Sequence, residues 1–228
     1  MTILITGASS GIGRALALAL VDRGETVLGV SRDTSRLPKG VTGIRADLTR
    51  DNAADKIFAK APPIDVLVNC AGKAWLSPIS SGDPNQWDEM WKINVRSLAT
   101  CCQAFLKQEG RASGTIINVS SMSGWRVPPS GGFYSPTKFA VRAITEALRG
   151  ELRATGSPVR VGSISPGFVD TPLLNDYFHG REAQLADQRA SIKMLSPEDV
   201  AHAIIQMIDA PAHVEIGDIQ MRSIDQKA

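Results

Sequence analysis

Short apolar runs rich in β-branched residues alternate with amphipathic stretches along the whole chain. Residues 2–6 (TILIT) form the first such run, and glycines follow at once. Ile12, Ala15, Leu16, Ala19 and Leu20 then recur at helical spacing, and Gly24 ends the helix they predict. Strands are expected at 26–30, 41–46, 64–68, 115–119, 159–164 and 214–219, the last closing the sheet. Helices are expected between them. One covers 53–59. A long one opens at Asp83-Pro84, an N-cap followed by proline at the first helical position, and runs to about 107. Its stripe is Trp87, Met90, Trp91, Val95, Leu98, Cys102 and Phe105. Another covers 134–154, with Ala140, Ile144, Ala147 and Leu148 on one face, and a last begins at Ser196-Pro197-Glu198-Asp199 in the manner of a capping box.

Strand and helix in strict alternation predict an α/β fold: a Rossmann-type doubly wound parallel sheet of about seven strands, helices on both faces, in one domain over 1–228. Ligands of such sheets bind outside the carboxyl ends of the strands. The chemically unusual residues fall there: Gly7, Gly11 and Gly13 after the first strand, Asp47 after the third, Asn69-Cys70-Ala71-Gly72 after the fourth, Ser121 after the fifth and Pro166-Gly167 after the sixth.

Composition narrows the function. Of 228 residues, 43% are hydrophobic and 21% charged, as in soluble globular proteins, and a net charge of +2 offers no field for nucleic acid or an anionic membrane. No stretch has the length of a membrane span or the layout of a signal peptide. Cys70, Cys101 and Cys102 lack metal-ligand spacing, and an odd count argues for reduced thiols in a cytoplasmic protein. The three histidines form no ligand cluster, so no metal is expected.

Two stretches carry chemistry. Glycines between a strand and a helix let the backbone approach a pyrophosphate, which the helix N-terminus then holds with free N–H groups. Ser121 stands thirteen residues before Tyr134, and Lys138 lies one helical turn beyond it, on the same face. An ammonium beside a phenol favours phenolate, so a Tyr134 of lowered pKa is expected, suited to moving a proton to or from an oxygen.

Together, TGASSGIG, Asp47, NCAG at 69–72, Asn94 in KINV, Ser121 in INVSS, Tyr134-x-x-x-Lys138 and Pro166-Gly167 resemble the short-chain dehydrogenase/reductase family, in order over about residues 2–220. The resemblance implies that Gly7, Ser9, Ser10, Gly11, Ile12 and Gly13 hold a cofactor pyrophosphate. Asp47 and Leu48 would lie at the adenine, and Asn69, Ala71 and Gly72 would support the central strand and ribose. Lys138 would hold the nicotinamide ribose, with Tyr134 the acid in reduction and the base in oxidation. Ser121 would orient the substrate oxygen, and Pro166, Gly167, Val169 and Thr171 would meet the carboxamide. Asn94 would mark a helix distortion that anchors a proton relay. The family also implies a homodimer or homotetramer built on the 83–107 and 134–154 helices. Three positions depart from the pattern: Cys70 for a second asparagine, and Pro136-Thr137 for the commoner pair before the lysine.

At the end of the second strand stand Ser31 and Arg32 rather than an acid, with Arg14 and Arg36 adding positive charge. A guanidinium fits a 2′-phosphate, so NADP(H) is favoured, and the nearby Asp33 keeps NAD(H) as the alternative. Residues 170–195 carry Leu173, Leu174, Tyr177, Phe178 and Leu185 and read as a lid. With Phe168, and with Trp75 and Trp125 at the rim, they favour an apolar or aromatic ketone, aldehyde or secondary alcohol. The reading is an NADPH-dependent carbonyl reductase or alcohol dehydrogenase. The alternatives are a non-catalytic dinucleotide-binding regulator, an NAD-linked dehydrogenase, and an epimerase or dehydratase on the same scaffold.

Overall fold

A computed structural model of the chain describes residues 1–109, 113–128 and 131–226. Positions 129–130 of the serine-to-lysine stretch and the last two of the expected domain lie outside them. Seven parallel strands form one sheet: β1 (Thr2–Thr6), β2 (Thr26–Ser31), β3 (Thr42–Arg45), β4 (Val66–Asn69), β5 (Thr115–Val119), β6 (Arg160–Pro166) and β7 (Asp218–Met221). Their order is β3-β2-β1-β4-β5-β6-β7. The order reverses between β1 and β4, where a crevice opens at the strand ends.

Alternation along the strands sorts the core into two layers. Ile3, Ile5, Val66, Val68 and Ile117 face one side, where α1 (Gly11–Asp22) and α8 (Pro197–Asp209) cover them with Leu16, Leu20, Ile204 and Ile208. Leu4, Leu67 and Ile116 face the other, under Leu98 and Phe105 of α4 (Ser97–Leu106) and Val141 and Leu152 of α5 (Tyr134–Ala154). Ile57 of α2 (Ala53–Phe58) joins the second layer.

Local chemistry sets the helix ends. Asp83 accepts from the Asn85 amide with Pro84 behind it, opening α3 (Pro84–Trp91). Ser196 and Asp199 exchange the two hydrogen bonds of a capping box. Pro136 falls in the first turn of α5, where amide groups lack helical acceptors, so it costs the helix no bond and leaves Tyr134 and Lys138 on one face.

Three expectations need correcting. The long helix does not run as one regular stripe: a π turn at Lys92–Arg96, the distortion the family resemblance places at Asn94, separates α3 from α4. The wide turn adds a residue, so a stripe in phase after it runs out of phase before it. Met90 stays buried, but Trp91 turns out to solvent at 45% exposure. In α5 the buried face is Lys138, Val141, Thr145 and Leu152, while Ala147 is exposed. Its polar members hydrogen-bond inside the protein, which an apolar pattern does not count: Thr145 accepts from Asn118 at 2.9 Å and donates to the Val141 carbonyl at 2.8 Å. Finally, the last strand begins at Asp218 rather than 214. Residues 214–217 run beside β6, where the Gly217 carbonyl still accepts from the Ser163 amide at 2.8 Å, but side chains take most of the other bonds. Glu215 accepts from the Val161 amide, and Arg160 and Arg149 take the carbonyls of Val214 and Gly217. Among the described residues no helix is long and apolar enough to cross a membrane.

Candidate active site

A cleft of about 1340 Å³ opens at the carboxyl ends of the strands. Its first wall is the turn from β1 into α1. Gly7 has φ 73°, and a Cβ there would stand 2.8 Å from the Ala71 Cα. A Cβ on Gly13 would stand 2.5 Å from the Gly7 carbonyl oxygen. Neither position has room for a side chain, so the turn is tight and its backbone bare. Ser10 caps α1 without a side-chain hydrogen bond, and no acid sits in the first turn. The helix therefore presents unspent N–H groups and the positive end of its dipole to the cleft.

The opposite wall carries the serine, tyrosine and lysine. β5 ends at Val119, and Ser121 caps a 3₁₀ turn at Met122–Gly124 by accepting from the Ser123 amide at 3.1 Å. That bond fixes the hydroxyl at the cleft floor, within hydrogen-bond reach of Tyr134. Lys138 is buried at 4% exposure and donates to the Val119 carbonyl at 3.0 Å. Its Nζ stands 5.7 Å from the Tyr134 ring centre. The expected lowering of the phenol pKa is not found. Burial holds Tyr134 above its ordinary value, with the Ser121 hydrogen bond working against it. Burial also pushes the Lys138 ammonium down to about 8. Desolvation dominates both shifts. A phenol held neutral is a proton donor at neutral pH.

Of the other expected residues, Gly7, Ser9, Ser10, Gly11, Ile12, Gly13, Ser31, Arg32, Asp47, Leu48, Ala71, Gly72, Pro166, Gly167, Val169 and Thr171 all line this cleft. Asn69 and Asn94 do not; they stand behind it. Asn69 donates to the Asn118 amide oxygen at 2.9 Å, the first link of a buried polar chain to Thr145. Asn94 sits in the π turn and clamps the Lys73 backbone, accepting from its amide and donating to its carbonyl, each at 2.8 Å. It also donates to Thr137 at 3.1 Å. Gly72 lies between the Asn94 amide and the Lys138 ammonium, a Cβ there meeting them at 3.6 and 4.0 Å.

At the far end, Arg32 and Arg36 line the cleft. Asp33 is spent on capping the turn Thr34–Arg36, where its carboxylate accepts from the Ser35 amide and hydroxyl at 3.0 and 2.7 Å. Asp47 likewise accepts from the Thr49 amide and hydroxyl, which hold its carboxyl below the usual range.

Residues 170–195 fold over the cleft as two helices, α6 (Pro172–Tyr177) and α7 (Glu182–Ser191). Leu174, Tyr177, Phe178 and Leu185 form a third apolar cluster with Tyr134 and Met90. Tyr177 meets the Tyr134 ring edge-on at 5.5 Å between centres. The stem is pinned by a single bridge, Val169 to Leu195. The far side is clasped to the loop after β4: Lys73 pairs with Asp176 at 2.7 Å, and the Leu76 amide donates to the Tyr177 carbonyl at 3.1 Å.

Sequence reasoning missed Lys73, Asp176, Asp225 and Gln226 as cleft residues. No periodicity or motif marks them; the fold alone brings them together. It also set Trp75 and Trp125 at the rim, and neither lines the cleft. Trp125 donates to Ser165 at 3.0 Å under the Arg142 guanidinium, and Trp75 lies beneath Lys73. Cys70 packs at the cleft floor, where burial pushes its thiol up to about 12.

Fold and site together define an oxidoreductase with a nicotinamide-cofactor-binding fold. The family model described as short chain dehydrogenase matches residues 1–182. A dehydrogenase/reductase SDR family member 11 from Bos taurus is 38% identical, covering 98% of this chain and 96% of its own. An uncharacterized oxidoreductase from Staphylococcus saprophyticus is 35% identical, covering 97% and 96%. Among solved structures, the closed form of serine dehydrogenase complexed with NADP+ matches with a TM-score of 0.93 at 30% identity, covering 100% and 97%. The chain belongs to the short-chain dehydrogenase/reductase family.

Proposed function

We propose that the protein is an NADPH-dependent carbonyl reductase, or an alcohol dehydrogenase in reverse, working through Ser121, Tyr134 and Lys138. The observation that carries the reading is a buried phenol with a fixed serine hydroxyl beside it, both lining a cleft whose other wall is a bare glycine turn at a helix N-terminus.

The residues present fit a dinucleotide. The Gly7 amide is spent on the Val30 carbonyl, but the N-terminal turn of α1 faces the cleft and would hold a pyrophosphate, with Asp47 and Leu48 at the adenine. Lys138 would hold the ribose beside the nicotinamide, and Pro166, Gly167, Val169 and Thr171 its carboxamide. Asn69, Ala71 and Gly72 back the ribose wall, and Asn94 acts through the Lys73 backbone. Bound there, the nicotinamide supplies or accepts the hydride. Ser121 holds the substrate oxygen by donating to it, where charge develops during reduction. Tyr134 gives its proton to that oxygen, and takes it back in oxidation. Lys138 keeps positive charge near the phenolate left behind. The lid excludes water from the transfer.

NADP(H) is favoured over NAD(H) because Arg32 and Arg36 line the ribose end while Asp33 is committed to its own turn. Phe168, Leu173, Leu174, Tyr177 and Phe178 line the substrate end and favour an apolar or aromatic ketone, aldehyde or secondary alcohol. The whole chain acts as one domain, cytoplasmic with free thiols, assembled as a homodimer or homotetramer. Trp91 and Phe139, exposed at 45% and 39% on α3 and α5, support that assembly.

The experiment follows NADPH and NADH absorbance in parallel over a panel of ketones, aldehydes and alcohols, with Tyr134→Phe beside the wild type. The expected result is NADPH-linked turnover that falls at least about 100-fold in the variant while cofactor binding persists. Unchanged turnover in Tyr134→Phe overturns the mechanism. Tight NADPH binding without turnover on any substrate favours a regulatory dinucleotide binder.

A further inference from the structure

The chain leaves β7 and turns sharply at Ser223–Gln226. The turn holds its own shape: the Gln226 amide donates to the Ser223 carbonyl at 3.1 Å and the Asp225 amide to the Ser223 hydroxyl at 3.2 Å. It then reaches into the cleft, which both Asp225 and Gln226 line. Gln226 Oε1 accepts from the Phe168 amide at 2.9 Å, and Asp225 Oδ2 accepts from the Lys193 amide at 3.2 Å.

Phe168 and Lys193 are the two sides of the lid stem. Between them, the Leu195 amide donates to the Phe168 carbonyl at 3.0 Å, and the Asp170 amide donates to the Leu195 carbonyl at 2.9 Å. Those two bonds form the Val169–Leu195 bridge, a very short pair of extended segments, too little ladder to stand alone. The turn supplies an acceptor to each side. Gly167 makes room for it: the atom nearest to a Cβ built there is Gln226 Oε1, and the Gly167 amide donates to the Met221 carbonyl at 2.8 Å.

We propose that Asp225 and Gln226 are positioning residues. They strap the two sides of the lid stem together and hold the Pro166–Thr171 loop in place to meet the cofactor. The cofactor half of this statement rests on the reading given above; the strap itself does not. Released from Gln226, the Phe168 amide loses its acceptor, and the loop that bears Val169 and Thr171 keeps only the Gly167 amide's bond to the Met221 carbonyl as its tie to β7.

The test compares the wild type with Gln226→Leu, which removes the acceptor and keeps the bulk, Gln226→Glu, which restores an acceptor, and a chain ending at Arg222. Two readouts are taken: the rate of tryptic cleavage after Arg189 and Lys193 in the protein alone, and NADPH affinity by fluorescence. Loss of one hydrogen bond to an enclosed amide is expected to speed cleavage about fivefold in Gln226→Leu and more in the shortened chain. NADPH affinity should weaken by a similar factor, with Gln226→Glu within about twofold of wild type in both. Wild-type resistance and affinity in Gln226→Leu overturn the strap. If the shortened chain does not fold, Gln226→Leu alone decides. Should the wild type bind no NADPH, the cofactor reading falls, while the cleavage rates still judge the strap.

Discussion

Lys138 keeps an ammonium at 4% exposure, and the protein is less stable for it. Its folded-state pKa, about 8, lies below the ordinary 10.5, so the unfolded chain binds the proton more tightly. The penalty is fully present below pH 8 and is relieved as pH rises from 8 toward 10.5. It is on the order of 3 kcal/mol. Lys138→Met should therefore raise the unfolding free energy in urea at pH 7 by up to that amount, lose the gain near pH 10.5, and abolish turnover. A variant destabilised at both pH values would show that the ammonium stabilises this fold. At the ribose end, Arg32→Ser should weaken NADPH binding about tenfold and leave NADH binding unchanged, measured by titration of each cofactor. Equal loss for both cofactors would remove Arg32 from 2′-phosphate recognition. Spacing put Tyr134 and Lys138 one helical turn apart and Ser121 at a strand end, and the resemblance, through their joint order with the glycine turn, singled them out as a site. The direction of the tyrosine pKa was not legible, because desolvation depends on what the lid and α5 pack around the ring.

Among the elements, the helix from Pro84 to Leu106 shows how one side chain changes a helix. Asn94 makes three hydrogen bonds from a position exposed by only 1%, two of them to the backbone of Lys73. An amide so placed ties the π turn to the loop after β4, and with it the wall beside Gly72 and Lys138. Asn94→Ala leaves the Lys73 amide and carbonyl without these partners and should cost about 2–4 kcal/mol in denaturant unfolding. A loss under about 0.5 kcal/mol would mean that water replaces the amide freely. The caps at Asp83 and Ser196 were readable because they are local exchanges within four residues. The π turn could not be derived from periodicity, and it is the reason the expected Trp91 stripe failed. Likewise 214–217 reads as strand, but the guanidiniums of Arg149 and Arg160 come from distant segments to claim its carbonyls.

For the molecule as a whole, the segment 170–195 is held over the cleft by contacts with segments far apart in the chain. The Lys73–Asp176 pair joins the loop after β4 to the lid, with side chains 21% and 49% exposed. A pair so exposed is worth no more than about 1 kcal/mol, or roughly fivefold in an equilibrium constant. On the proposed function, Asp176→Lys should raise the substrate KM by several-fold, and the exchanged pair Lys73→Asp with Asp176→Lys should recover most of it. Added salt should weaken the wild type and leave the uncharged pair Lys73→Met with Asp176→Leu unaffected. No recovery in the exchanged pair would mean that Asp176 acts on the substrate rather than on Lys73.

Period, caps and turn glycines act over a few residues, so the chain's own order was enough to determine the alternating strands and helices, the parallel sheet and the cradle at the β1–α1 turn. The same order placed the serine, tyrosine and lysine at strand and helix ends that must converge. Only the folded molecule decided which way the tyrosine titrates and which tryptophans leave the cleft. It alone set the clasp of Lys73 on Asp176 and the strap of Asp225 and Gln226 across the lid stem. Those depend on burial and on partners dozens of residues away, and local spacing does not encode which distant backbone group a side chain will meet.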